Sequence, residues 1–144
     1  MPFINIRNIH FSYGEEKILD NIDMDIERGD FVCLLGQSGC GKSTFLRLLA
    51  GLAAPSSGSI VINGKVVTGA SLDRGGVFQD YSLFPWFTSG KNIVLSMQQK
   101  FRDMTKQDLK ERAMFFLKRG GLDESVYNKY PNELSGGMRQ RCAI

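Results

Sequence analysis

Apolar and polar positions alternate along the N-terminal part of the chain. The runs 3–13 and 18–26 are partly alternating, and residues 14–16 lie between them. This pattern predicts two β-strands joined by a turn. Residues 31–35 form a continuous apolar run, which is typical of a strand buried on both faces, as in a parallel sheet.

Glycines mark the ends of the next predicted elements. Residues 42–50 have the composition and spacing of a helix, and Gly51 suits its C-terminal cap. An Asn-Gly pair at 63–64 between two β-branched runs predicts a hairpin. Residues 75–78 predict a short buried strand that leads to Gln79. This part of the chain is therefore predicted to be rich in β-structure.

From residue 88 onward the pattern becomes helical. Thr105 and Asp108 are spaced so that both can engage first-turn amides, which predicts a helix N-terminus. That helix is predicted to stop at Gly120-Gly121. Its predicted apolar face consists of Leu109, Ala113, Phe116 and Leu117. Ser135 can cap a further helix that continues towards the last residue.

These elements predict an α/β fold with two subdomains. The first spans residues 1–87 and holds the β-rich segment, and the second spans residues 88–144 and is helical. A chain of 144 residues is long enough for one domain with a substantial core. With 42% hydrophobic and 23% charged residues, the composition is ordinary for a globular protein.

Charge and cysteine content exclude several classes of function. The chain has 18 Lys and Arg against 15 Asp and Glu, a net charge of +3 spread along its length, which does not favour nucleic acid as a partner. No apolar stretch is long enough to span a membrane, and the N-terminus does not resemble a signal peptide. Three cysteines and one histidine without a CxxC pair make a zinc site improbable and suit a reducing cytosol. We therefore expect a cytoplasmic protein that reaches a membrane only through a partner.

A glycine-rich segment carries the strongest chemical signal. Residues Gly36 to Ser43 fit the pattern G-x-x-x-x-G-K-[ST], with a predicted buried strand before it and a predicted helix after it. Gly36, Gly39 and Gly41 let the backbone curl and approach phosphate oxygens without a Cβ in the way. The helix N-terminus adds unpaired N–H groups and about half a positive charge. The alternative is a glycine-rich turn without a ligand.

The other residues of this loop have predicted roles in ATP binding. The residues expected to offer backbone N–H groups are Gln37, Ser38 and Cys40. Lys42 is placed to reach the β- and γ-phosphates, and the hydroxyl of Ser43 to coordinate Mg²⁺. Thr44 can add a hydrogen bond to a phosphate. Cys40 has a second interpretation as a reactive thiol at a helix N-terminus, sensitive to thiol reagents when no nucleotide is bound.

A second candidate anion site lies near the end of the chain. The segment Leu134 to Gln140 contains a capping hydroxyl on Ser135, followed by Gly136 and Gly137, whose N–H groups can face a phosphate. Taken alone, the segment could equally be an ordinary helix cap. Its position after a phosphate loop in the same chain favours the interpretation as an anion site.

Together the two motifs resemble the ATP-binding-cassette (ABC) ATPases, with Leu134 to Gln140 matching the family's signature sequence. The resemblance covers essentially all 144 residues. It implies an ABC ATPase core of the P-loop NTPase class, with an N-terminal antiparallel β-subdomain and an α-helical subdomain. ATP and Mg²⁺ are the implied cofactors. The family pairs two such subunits, so a homodimer is expected in which Ser135, Gly136 and Gly137 bind ATP in trans.

Three further positions match the family pattern. Tyr13 matches the aromatic residue that stacks on adenine, although it could be a core residue of its strand. Gln79 matches the strand-ending glutamine that contacts Mg²⁺ and the attacking water, although alone it would be a routine loop residue. Residues 81–86 resemble the loop that contacts the transmembrane permease subunits, where exposed aromatic residues would suit an interface. A small local core is the alternative.

The chain departs from the family pattern at two points. Met138 stands where most members have glutamine, a variant that resembles importers of nitrate, sulfonates and taurine. The family's Asp-bearing strand, catalytic glutamate and later histidine follow the signature, and no carboxylate follows Arg141 here. We therefore expect an incomplete core that binds ATP without hydrolysing it, since hydrolysis needs a positioned base or water-orienting group. An incomplete sheet also predicts low stability or chain exchange between copies.

The resemblance implies that the intact protein couples ATP binding and hydrolysis to import of a small solute. Its expected location is the inner face of the cell membrane, bound to permease subunits. Two other classes stay open for this chain, a non-hydrolysing nucleotide-binding module and a soluble ABC ATPase of DNA repair or translation. The aromatic segment 81–86 argues against the last of these.

Overall fold

The computed structural model describes residues 2–78 and 81–144. The chain forms two compact units, Met1–Gly75 and Gly76–Ile144. The first unit contains β1 (Ile4–Tyr13), β2 (Glu16–Ile26), α1 (Lys42–Ala50), β3 (Ser57–Ile62) and β4 (Lys65–Val66). The second contains α2 (Ser89–Lys100), α3 (Lys106–Arg119) and α4 (Gly136–Ala143), with short 3₁₀ helices at Glu124–Asn128 and Pro131–Glu133. The subdomain boundary after residue 87 stays a prediction.

The first unit is an antiparallel sheet covered by one helix. The strand order is β2-β1-β3-β4, and β1 lies between its two neighbours with Ile4 opposite both Ile26 and Ile62. Apolar positions of β1 point to the core in two alternating pairs, Ile4 with Ile6 and Ile9 with Phe11. The register shifts between Ile6 and Ile9, where Asn8 has a φ of 48°. The buried cluster is Ile6, Ile9, Phe11, Leu19, Phe45, Leu48 and Ile60. Because Phe45 and Leu48 belong to α1, this packing fixes the helix against the sheet.

Local turn chemistry in this unit agrees with the sequence predictions. Asn63 and Gly64 have φ angles of 49° and 75°, the left-handed pair that a two-residue hairpin between β3 and β4 requires. Gly51 ends α1 with φ 74°, and its N–H donates to the carbonyls of Arg47 and Leu48.

Two predicted strands are wrong. Residues 31–35 contain no strand in the structure, and Phe31 and Leu35 are 94% and 88% exposed. Residues 75–78 also contain no strand, and Val77 is half exposed. A strand buried on both faces needs neighbouring strands to pair its backbone, and the sheet of the described residues pairs only β1 to β4. The apolar run alone cannot supply these neighbours.

The second unit is held together by helix caps and two small cores. Thr88 and Ser135 cap α2 and α4 through their hydroxyls, and Thr105 forms a capping box with Asp108 at α3, as predicted. The buried residues of the two cores are Met97, Leu109 and Ala113, and Leu117, Leu122, Val126, Leu134 and Cys142. Phe116, predicted to lie on the buried face of α3, is 44% exposed, so that face is narrower than expected.

Helices of the described residues are all too short or too polar to cross a membrane.

Candidate functional site

The loop before α1 is shaped by glycines in the left-handed region. Gly39 and Gly41 have φ angles of 82° and 94°, conformations that cost a residue with a Cβ about 1–2 kcal/mol. The Cys40 amide donates to the Gln37 carbonyl over 3.4 Å and closes the turn between them. The backbone of the loop thus curls back on itself immediately before the helix.

Gly41 also makes a close approach to the sheet. A Cβ at this position would lie 2.9 Å from Cδ2 of Leu19 and 3.2 Å from the carbonyl oxygen of Ile18. A Cβ at Gly36 would lie 2.7 Å from Sγ of Cys40. At both positions there is no room for a larger residue unless its neighbour shifts. At Gly39 nothing lies within 4 Å of the corresponding position, so only its dihedral angle favours glycine.

Lys42 folds its side chain over this loop. Its Nζ donates to the carbonyl of Gly36 over 2.8 Å and to the carbonyl of Gln37 over 2.6 Å, and it lies 3.4 Å from Sγ of Cys40. Lys42 is the first residue of α1. A single ammonium group therefore stands at the helix N-terminus, enclosed by the loop backbone.

The N-terminus of α1 keeps its first-turn amides available. Gly41 precedes the helix, and no side chain of the described residues caps it. The first helical hydrogen bond runs from the Phe45 amide to the Gly41 carbonyl, so the amides of the preceding turn have no helical acceptor. These donors, the helix dipole and the Lys42 charge fit the oxygens of a nucleotide's phosphates. The exposed hydroxyl of Ser43 and the half-buried Thr44 lie in the same turn.

The three cysteines differ in exposure. Cys33 and Cys40 are exposed, whereas Cys142 is buried, and burial raises the pKa of the Cys142 thiol. The sensitivity of Cys40 to thiol reagents stays a prediction, and its exposure is the condition that such a reaction needs.

Of the two other predicted nucleotide contacts, only Tyr13 lies within the described residues. Tyr13 is the last residue of β1, is 53% exposed and packs edge-on against Phe11 with ring centroids 4.9 Å apart. The residue is thus more than half exposed, which argues against a core role, and its stacking on adenine stays a prediction. Gln79 lies outside the described residues.

The signature segment forms the N-terminus of α4. The Oγ of Ser135 accepts a hydrogen bond from the Met138 amide over 3.3 Å. A Cβ at Gly136 would lie 3.4 Å from the hydroxyl oxygen of Tyr81, whereas at Gly137 nothing lies within 4 Å. The two glycines therefore differ, because one is covered and the other faces open space.

Arg141 is a residue of this site that the sequence reasoning missed. Its Nη1 donates to the carbonyls of Gly120 and Gly121 over 3.2 and 3.1 Å, and its Nε donates to the carbonyl of Gly137 over 3.3 Å. These bonds tie α4 to the C-terminal end of α3. A basic residue one turn after the glycines is visible in the sequence, but two of its three acceptors lie 20 and 21 positions away.

The aromatic segment 81–86 is ordered by Asn92, which the sequence reasoning also missed. The Asn92 side chain is 5% exposed, accepts from the Phe84 amide over 2.8 Å and donates to the Phe84 carbonyl over 3.1 Å. Leu83 packs on the helical core, but Phe84 and Trp86 are 42% and 65% exposed. The segment therefore combines one core residue with an exposed aromatic surface.

The chain is similar in sequence to ATP-binding proteins of known transporters. The profile of the ABC transporter family matches residues 19–144. The nitrate import ATP-binding protein NrtD of Synechocystis sp. is 48% identical over 131 residues, which are 91% of this chain and 48% of NrtD. The bicarbonate transport ATP-binding protein CmpC of Synechococcus elongatus is 42% identical over 147 residues, covering 99% of this chain and 22% of CmpC. The chain thus spans about half the length of NrtD and less of CmpC.

Solved structures agree with the sequence relatives. A dimeric structure of MJ0796, a bacterial ABC transporter cassette, matches with a TM-score of 0.88 at 35% identity, covering 98% of this chain and 67% of that one. A dimeric post-hydrolysis state of MJ0796 bound to ADP and Pi matches with a TM-score of 0.87 at 34% identity, covering 97% of this chain and 66% of that one. The α/β architecture is therefore that of an ABC ATPase core. The chain belongs to the ABC transporter family and has the fold of its ATP-binding domain.

Proposed function

We propose that this chain binds ATP and Mg²⁺ as the nucleotide-binding part of an ABC importer for a small solute, of the nitrate and bicarbonate type. The observation that carries the proposal is the N-terminus of α1. It combines uncapped first-turn amides with the Lys42 ammonium inside a loop shaped by left-handed glycines. This arrangement places several donors around one point, as a triphosphate requires.

Each loop residue contributes one kind of contact to the nucleotide. The backbone amides of the loop bind phosphate oxygens, and the residues involved are Gly36, Gln37, Ser38, Gly39, Cys40 and Gly41. Lys42 exchanges its two carbonyl acceptors for the β- and γ-phosphates, which are stronger acceptors because they are charged. Ser43 and Gln79 coordinate Mg²⁺, Thr44 hydrogen-bonds a phosphate, and Tyr13 stacks on adenine.

The signature completes the site of a second copy. Ser135, Gly136 and Gly137 bind the γ-phosphate of the ATP held by the partner, so the active form is a homodimer closed by nucleotide. The open space at Gly137 supports this role, because a phosphate can approach its amide without meeting a side chain. The dimeric form of MJ0796 adds support from a related cassette.

The transport role rests on the relatives and on the aromatic surface. NrtD and CmpC are named for nitrate import and bicarbonate transport, both of which concern small oxyanions. The exposed rings of Phe84 and Trp86 suit docking to transmembrane permease subunits, which would hold the chain at the inner face of the membrane.

Calorimetric titration with ATP and Mg²⁺ tests this proposal, with phosphate release measured in parallel. Lys42→Ala should weaken binding by about a hundredfold or more, since it removes a charged donor of at least two hydrogen bonds. Lys65→Ala is the matched control, because Lys65 lies on β4 outside the loop. Equal affinities for both variants would contradict the proposal. Phosphate release that depends on Lys42 would show that another residue supplies the base.

A further inference from the structure

The backbone at Tyr81 is strained. Tyr81 and Ser82 have φ angles of 62° and 50°, two successive residues other than glycine in the left-handed region. Each such conformation costs about 1–3 kcal/mol and persists only where surrounding contacts enforce it. One of these contacts is local, since the Tyr81 amide donates to the Phe78 carbonyl over 3.0 Å.

The other contacts of Tyr81 are with the first turn of α4. The guanidinium carbon of Arg139 lies 5.4 Å from the centroid of the Tyr81 ring, within cation–π range. The Tyr81 hydroxyl stands over Gly136, 3.4 Å from the position that a Cβ would occupy there. The strained residue therefore touches two of the first four residues of the signature helix.

Arg139 is itself fixed by its surroundings. Its Nη1 donates to the Pro131 carbonyl over 3.4 Å, while its Nε is buried without a hydrogen-bond partner in the described residues. An Arg side chain held in this way keeps little rotamer freedom. Besides the Pro131 carbonyl, the ring of Tyr81 is a partner that this guanidinium has within the described residues.

We propose that Tyr81 is a positioning residue for the signature: through Gly136 and Arg139 it holds the first turn of α4 so that Ser135 and Gly137 face the nucleotide of a second copy. This rests on the proposed function. Gly136 provides this contact on its Cβ side, in addition to its proposed phosphate contact, while Gly137 is open on that side.

The test separates nucleotide binding within one copy from association between copies. Tyr81→Ala and Tyr81→Phe are compared in the full chain with Tyr130→Ala, a control tyrosine of the same unit whose ring is 45% exposed. ATP affinity is measured by calorimetry, and association with ATP and Mg²⁺ by sedimentation. Hydrogen exchange at residues 136–139 reports the signature turn directly.

Tyr81→Ala should weaken ATP-dependent association and speed exchange at 136–139 by roughly two- to tenfold, the size of one aromatic and one cation–π contact. Its ATP affinity should stay within about twofold of the wild type, as a role confined to presenting the signature requires. Tyr81→Phe keeps the ring and should recover most of the association. If Tyr81→Ala unfolds, Tyr81→Leu takes its place, because it keeps apolar bulk but removes the aromatic face under Arg139. It should show the same loss of association and faster exchange at 136–139, whereas Tyr130→Ala should not.

Unchanged association and exchange in both Tyr81 variants, with normal ATP binding in the wild type, would overturn the inference alone. A wild-type chain that binds no ATP, or binds it without associating, would overturn the proposed function and this inference together.

Discussion

Helices α1 and α4 both begin at segments rich in glycine and serine, but they use their first-turn amides differently. At α1 the preceding residue is Gly41 in the left-handed region, and no side chain of the described residues accepts from the first turn. At α4 the hydroxyl of Ser135 accepts from the Met138 amide over 3.3 Å. One N-terminus leaves its donors available to a ligand, and the other already satisfies part of them.

The positive charge near the two N-termini also favours ligand binding at α1 over α4. Lys42 stands over the loop at α1 and adds a full positive charge to the helix dipole. At α4 the basic residues are turned to other acceptors, with Arg139 on Pro131 and Arg141 on the carbonyls of α3's end. With free first-turn amides and the Lys42 charge, the N-terminus of α1 can bind a polyanion by itself. By contrast, α4 suits a contact made after a phosphate is already held elsewhere.

Among substitutions at the two helix N-termini, the largest effect on stability is expected at Gly41. Gly41→Ala should destabilise the first unit by about 2–4 kcal/mol, since it adds left-handed strain and a Cβ 2.9 Å from Leu19. Gly39→Ala is the matched control, with similar φ but open space, and should cost only about 1–2 kcal/mol. Thermal unfolding measures both. Equal losses would show that the approach of α1 to the sheet does not require glycine.

A smaller effect is expected at the cap of α4. Ser135→Ala should cost about 1 kcal/mol of stability, the usual value of a capping hydroxyl. It should also weaken ATP-dependent association while leaving ATP affinity of the single chain unchanged. Thr105→Ala removes a comparable cap from α3 and serves as the control, with a similar loss of stability and normal association. Loss of association in both variants would show that Ser135 acts only as a helix cap and does not contact the nucleotide of a second copy.

The features predicted correctly from sequence depend on neighbours within a few positions. The capping box of Thr105 and Asp108 and the cap at Ser135 are of this kind. The strand expected at 31–35 was wrong because a buried strand depends on partners elsewhere in the sheet, which an apolar run does not specify.

The contacts missed from sequence join distant positions. Arg141 binds carbonyls at the end of α3, and Asn92 holds the backbone at Phe84. Tyr81 reaches Gly136 only because the chain folds α4 beside it. The glycine and lysine pattern of the α1 loop could be recognised from spacing alone, whereas these residues follow no pattern along the chain.

The smallest effect on stability is expected at Ser43, the serine that corresponds to Ser135 in this comparison. Ser43 is exposed in the first turn of α1, and its hydroxyl makes no hydrogen bond within the described residues. Ser43→Ala should therefore change the free energy of unfolding by less than about 0.5 kcal/mol.

Because the Ser43 hydroxyl is proposed to coordinate Mg²⁺, the variant should lose the tightening of ATP binding by Mg²⁺ and keep its affinity for metal-free ATP. Calorimetry with and without Mg²⁺ measures this difference, and Ser38→Ala in the same loop is the control. A Ser43 variant that responds to Mg²⁺ like the wild type would mean that its free hydroxyl serves no metal. The proposed difference between Ser43 as a ligand-binding serine and Ser135 as a capping serine would then be wrong for Ser43.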